Sequence, residues 1–172
     1  MSDANVTNHE DLGGWFSVEL YTTEEVDLCP DLLTNKNAHH VVFSNPTEVL
    51  DFLPMGENIT ISEPRSKTKN GIVYKISADF DITVQTESID DYMNKYMNKD
   101  FLLVATNHSG MRKIYGSKLF PLEFSYQPIN GKRQEDGHGI RVSVFGDIPQ
   151  KPVYIVTPVA EDGGGDGGLE ME

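Results

Sequence analysis

From Ile72 to Val84 the chain alternates apolar and polar side chains almost without a break. Ile72, Tyr74, Ile76, Ala78, Phe80, Ile82 and Val84 lie on one side; Lys75, Ser77, Asp79, Asp81 and Thr83 lie on the other, with Val73 as the one exception. A period of two over thirteen residues is the signature of a half-buried β-strand, roughly 40 Å long at about 3.3 Å per residue. Globular strands usually run about five or six residues. A strand this long often projects beyond its own sheet, and it commits the surrounding chain to a β-rich core.

The segments after it continue that pattern. Ile89, Tyr92, Met93, Tyr96 and Met97 recur at helical spacing. Ser88 is a plausible cap, Asp90 and Asp91 sit where the helix dipole favours negative charge, and Lys95 and Lys99 lie towards the other end. Phe101 to Thr106 reads as a buried strand, residues 107–110 (Asn-His-Ser-Gly) as a turn, and Met111 to Tyr115 as the returning strand of a hairpin. Leu122, Phe124 and Tyr126 alternate, as do Ile140, Val142 and Val144. Between them, Gln127 to Gly139 reads as a long, polar, flexible hairpin loop. Val153 to Val156 adds a short strand.

The first sixty residues are less regular. Trp15 to Tyr21 and His39 to Phe43 look like strands. Asn45, Pro46 and Glu48 form a helix-start signal with Val49, Leu50 and Phe52 as the apolar face. The expected fold is α+β, mainly β: an antiparallel sheet or small sandwich with one short packed helix and extended termini. Residues 1–70 are read as an irregular N-terminal extension with short strands and one short helix. Residues 71–158 form the β-rich core domain, and residues 159–172 a flexible, acidic, Gly-rich tail.

Charge divides along the same lines. The net charge is −13. Residues 1–60 hold eleven acidic residues and one basic one, residues 61–158 eleven acidic and thirteen basic, and residues 159–172 five acidic and none basic. A near-neutral middle between acidic flanks argues against nucleic acid as the main partner, because phosphate binding needs clustered Lys and Arg. The longest apolar runs are about five residues, far short of the roughly 20 that span a bilayer, and the N-terminus lacks the features of a signal peptide. The chain is expected to be soluble and made in the cytoplasm.

No constellation for catalysis emerges. The glycines at 163–168 follow no strand and open no helix, so they do not read as a phosphate loop. His39 and His40 are adjacent and would face opposite sides of a strand, which keeps them from sharing a metal. His108 and His138 fall in turns. Asp79 and Asp81 lie on one face about 7 Å apart, a spacing that suits a cation or an acid–base pair, but Lys75 and Ser77 continue that face as ordinary solvated surface. Cys29, the single cysteine, forms no intrachain disulfide and reads as a small buried apolar residue. No enzymatic activity, metal or cofactor is expected.

The stretch from Ile72 to about Val156 is also familiar as a whole. After the long strand come Ile89-Asp90-Asp91-Tyr92-Met93 and the run from Asp100 to Gly110. They are followed by Ile114-Tyr115-Gly116-Ser117-Lys118-Leu119-Phe120-Pro121-Leu122-Glu123-Phe124 and a Gly-rich loop. The last part runs from Gly139 through Ile148-Pro149-Gln150-Lys151-Pro152 to Tyr154. This resembles small structural proteins of tailed phages and prophages of gut Bacteroidetes, including the crAss-like phages: head–tail connector, tail-completion or ring proteins. The resemblance covers about half the chain. It implies a virion protein, made in the bacterial host cytoplasm, whose identical copies close into a six- or twelve-fold ring. Such a ring would join portal or other connector and tail proteins around a channel through which phage DNA passes without sequence-specific binding, and with no membrane partner. The alternative is a non-enzymatic phage accessory binding module.

Candidate contact residues follow from charge. Arg112, Lys113, Lys118, Lys132, Arg133, Arg141 and Lys151 fall in the hairpin and loop region, where they suit the acidic flank of a neighbouring copy. Glu161, Asp162 and Asp166 in the tail are the matching acids.

Overall fold

The long alternating strand is the spine of the molecule. The computed structural model describes residues 14–34, 41–43, 50–52, 58–82, 87–130 and 138–155. The chain begins with β1 (Trp15–Thr22), β2 (Val26–Leu28), β3 (Val42–Phe43) and β4 (Leu50–Phe52). Next come β5 (Thr60–Ser62), β6 (Arg65–Thr68) and the spine itself, β7 (Gly71–Ile82). Helix α1 (Glu87–Tyr96) follows, then β8 (Phe101–Asn107) and β9 (Arg112–Tyr115). The described part ends with β10 (Glu123–Asn130), β11 (His138–Ile148) and β12 (Val153–Ile155). Every strand pairing is antiparallel. The fold is α+β and mainly β, with a single short helix among the described residues.

Two five-stranded sheets carry the core. One runs β12-β9-β8-β1-β4; the other runs β10-β11-β7-β5, with β6 also paired to β7. Between them lie Val18, Leu20, Leu103, Ala105 and Tyr115 from the first sheet and Ile76, Ala78, Phe80, Val142, Val144 and Phe124 from the second. Across the β7–β11 ladder Ala78 opposes Val144, Phe80 opposes Val142 and Ile82 opposes Ile140, so the period-two pattern becomes one buried face. Met93 and Tyr96 of α1, each 1% exposed, close the same core. Met97, also at helical spacing, is left outside.

A second cluster covers the opposite face of the first sheet. Tyr21, Leu102, Val104, Ile114, Val153 and Ile155 pack there with Val26, Leu33 and Val41, from the region of the two-stranded β2–β3 sheet. Strand β8 is therefore buried on both faces from Phe101 to Ala105. That accounts for its unbroken Phe-Leu-Leu-Val-Ala run, since a strand with two dry faces has no reason to alternate.

Several sequence expectations are corrected. Leu50 to Phe52 is not the face of a helix; it is β4, paired with Val18 to Leu20 of β1. The free edge of β1 satisfies that backbone, and pairing overrides the local helix-start signal. Ser88 is not the helix cap, because α1 already begins at Glu87 and Ser88 lies in the first turn. The expected loop from Gln127 to Gly139 is shorter: the β10–β11 ladder continues to Asn130 opposite His138, and residues 131–137 lie outside the described part. Strands β5 and β6, not expected from sequence, both pair with β7. Strand β1, from the stretch read as an N-terminal extension, pairs along the whole of β8 and supplies Val18 and Leu20 to the core.

Candidate interaction surface

Beyond Tyr74, β7 leaves β11 behind. The β7–β11 ladder ends at Tyr74 opposite Ile148, whereas β6 pairs β7 from Arg65–Tyr74 to Thr68–Gly71. The result is a two-stranded arm with residues 69–70 at its tip. Gly71 takes φ 130° there, a conformation that side-chain-bearing residues rarely adopt. The Thr68 hydroxyl closes the turn by donating to the Gly71 carbonyl at 3.0 Å. Residues 64–78 contain Arg65, Lys67, Lys69 and Lys75 and no acid. All four basic residues are exposed, and none forms an ion pair among the described residues. Arg65 and Lys67 share the face of their cross-strand partners Tyr74 and Ile72.

The basic residues expected from sequence to face a neighbour have a different disposition. Arg112 is paired with Glu19 across the first sheet. Tyr21 donates to the same carboxylate at 3.0 Å; burial first, and then the Glu19 charge, pushes its hydroxyl up to about 12. Arg141 grips Asp81 through two bonds of 2.8 and 3.0 Å and holds that carboxyl below its ordinary value. Asp79 accepts from Ser77 at 3.1 Å and from Ser143 at 2.6 Å. The two aspartates are thus occupied by separate partners, and no group of three or more metal-ligating side chains occurs among the described residues. Lys118 and Lys151 are exposed. Lys132, Arg133, Glu161, Asp162 and Asp166, together with His39 and His40, lie outside the described residues.

Lys113 is the exception in burial. It points from β9 into the rim of the core and is only 7% exposed. Its ammonium donates to Glu63 Oε1 at 2.5 Å and sits 5.5 and 5.6 Å from the ring centres of Tyr115 and Tyr154. A buried cation needs such a counter-charge, because desolvation alone costs several kcal/mol. Burial, reinforced by Glu63, keeps the Tyr115 hydroxyl well above its ordinary value. Around this pair opens a cleft of about 560 Å³, also lined by Gln150, Lys151 and Leu33. Both polar atoms of the Gln150 amide and Glu63 Oε2 are buried there without a hydrogen-bond partner among the described residues.

Cys29 is half-buried, its thiol 3.5 Å from the Pro30 carbonyl, and burial raises its pKa, which disfavours the thiolate a nucleophile requires.

The structure thus brings to one cleft Lys113 and Lys151, which the sequence pattern sets against a neighbouring copy; the sequence reading expects the long strand to overshoot its sheet but misses β6 and the cations it carries. The missed signals are the acid-free basic run at 65–75 and the Asn70-Gly71 pair, a hairpin marker. No helix among the described residues is long and apolar enough to cross a membrane. No protein-family model, no curated protein and no solved structure matches the chain.

Proposed function

We propose that this chain is a non-enzymatic structural subunit of a tailed-phage virion: a ring-forming head-to-tail connector or tail protein that joins neighbouring rings around the DNA channel. The observation that carries the reading is the β6–β7 arm. It extends past β11 with three exposed cations, Arg65, Lys67 and Lys69, that have no ion-pair partner among the described residues, on a chain whose first sixty and last fourteen residues are strongly acidic. A closed ring of identical copies needs two different surfaces per subunit, each fitting the other on the next copy. A basic arm and an acidic flank are such a pair. The resemblance of residues 72–156 to phage connector and ring proteins supports the same reading. The net charge of −13 also suits a channel wall that repels phosphate and lets DNA slide.

The test is mass spectrometry of purified particles from the phage or prophage that encodes the chain. A stoichiometric copy number, six or twelve per particle, is expected; absence from particles overturns the proposal.

One observation favours a second reading, an accessory binding module. The cleft beside Lys113 offers an amide donor, an amide acceptor and a carboxylate oxygen, all buried and without a hydrogen-bond partner among the described residues. A small polar ligand that raised the melting temperature in proportion to the logarithm of its concentration, with the protein absent from particles, would decide for it.

A further inference from the structure

Strand β6 pairs with β7 on one side only, and among the described residues its other edge meets no strand. An unpaired edge presents a row of free backbone donors and acceptors that natural proteins cover or blunt. Arg65 and Lys67 flank this edge two residues apart, hence about 6.5–7 Å.

The chain itself contains a segment of matching pattern. Leu169-Glu170-Met171-Glu172 alternates apolar and acidic, so that in an extended conformation Glu170 and Glu172 fall on one side with the same two-residue spacing as Arg65 and Lys67. Leu169 and Met171 then fall on the other side, the face that carries Val73.

The path is short. Strand β12 ends at Ile155, and its neighbour Tyr154 opposes Lys113, whose ammonium is bonded to Glu63, two residues before β6. The thirteen residues between Ile155 and Leu169 include five glycines. A glycine-rich linker of thirteen residues has a root-mean-square reach of roughly 20 Å, and a tether of that length holds its end at a millimolar effective concentration.

We propose that residues 169–172 add to β6 of the same chain as an edge strand, with Glu170 and Glu172 paired to Lys67 and Arg65, and that this tail is displaced when the arm engages a neighbouring subunit. The proposal rests on the assembly reading above for its second half only; the capping contact belongs to the free subunit. Charge complementarity selects this occupant. The arm holds three cations, Arg65, Lys67 and Lys69, and no acid, and residues 159–172 hold five acids and no cation.

The experiment is amide hydrogen exchange on the full chain, read at residues 65–68, for wild type, R65E/K67E, E170K/E172K and the combined swap. Wild type is expected to exchange about tenfold more slowly there than either single-site charge reversal, as a millimolar effective concentration gives for a contact of about 0.1 mM. The combined swap restores protection. Exchange at β8 serves as the internal control for folding. The protection is independent of protein concentration over a hundredfold dilution.

Equal exchange in wild type and E170K/E172K overturns the proposal, as does a swap that fails to restore protection. Protection that fades on dilution assigns the occupant to a second copy instead and overturns the same-chain contact. Absence of the protein from particles removes the displacement step and the assembly reading while leaving the capping result intact, so the two failures are separable.

Discussion

Lys113 and Lys67 are the same side chain on antiparallel strands of one molecule, in opposite surroundings. Lys113 lies within the sandwich, 7% exposed, bonded to Glu63 and flanked by two tyrosine rings. Lys67 stands on the arm, exposed, with no ion-pair partner among the described residues. Arg112 and Arg141 follow Lys113, each held by a carboxylate of the same fold. The contrast separates charge that the fold consumes from charge that it leaves over. A cation within the sandwich is spent on its partner, because leaving it single would cost more than the pair gains. Beside the exposed Lys118 and Lys151, the arm gathers three cations for another surface.

Strand β7 spans both regions, so truncations along it give the largest expected difference. Phe80, 1% exposed between the sheets, should cost about 3–5 kcal/mol on replacement by Ala. Ile72, on the arm and 39% exposed, should cost about 1 kcal/mol or less, since its burial is partial. Chemical denaturation of the two variants measures this directly, and equal losses would mean that the arm is part of the core. Next in size is Glu63→Ala, which strands the buried Lys113 ammonium and should cost about 3 kcal/mol. Lys113→Met removes the charge along with the need for its partner and should cost clearly less. If the two variants lose the same stability, Lys113 is not a buried charge that depends on its counter-ion.

A smaller effect lies at the surface pair Arg141–Asp81. Arg141 holds the Asp81 carboxyl below its ordinary 3.8. A group whose folded value is depressed contributes stability that is complete above the unfolded value and is lost as the pH falls through the folded one. Wild type and Asp81→Asn should therefore differ modestly near neutrality and converge as the pH is taken well below 3.8. A thermal melting series against pH reads this, and a gap that widens towards acid would contradict it. Smallest of all, R65E/K67E should lower the melting temperature by no more than a few degrees, the loss of the tail contact alone, because neither side chain has a partner in the sandwich.

The two regions also differ in how well they can be read from sequence. The sandwich half of β7 declared itself through alternation, and β8 through its apolar run, because each pattern reflects which faces stay dry. Residues 107–110 marked the turn between β8 and β9 for the same kind of local reason. Strands β5 and β6 were not legible. Thr60-Ile61-Ser62 offers only Ile61 to the core and Arg65-Ser66-Lys67-Thr68 offers nothing apolar, too little to show a period, and they are strands because β7 offers them a backbone edge. Leu50 to Phe52 carried local helix signals that the edge of β1 overrode. The basic residues of β9 looked like surface charge because sequence does not reveal that Glu19 and Glu63 arrive from distant elements to meet them. Non-local pairing made the difference each time: local chemistry specified the sandwich strands, while long-range partners decided the edges and the charges.

The division between consumed and available charge is tested most directly by lysine acylation of the full chain at high salt, quantified residue by residue by mass spectrometry. High salt screens the tail from the arm, so the rates report the fold itself. The account predicts that Lys67, Lys69 and Lys75 react as freely as an unstructured lysine, while Lys113 stays unmodified until the protein unfolds. Lys113 reacting in the folded chain at the rate of Lys67 would contradict it.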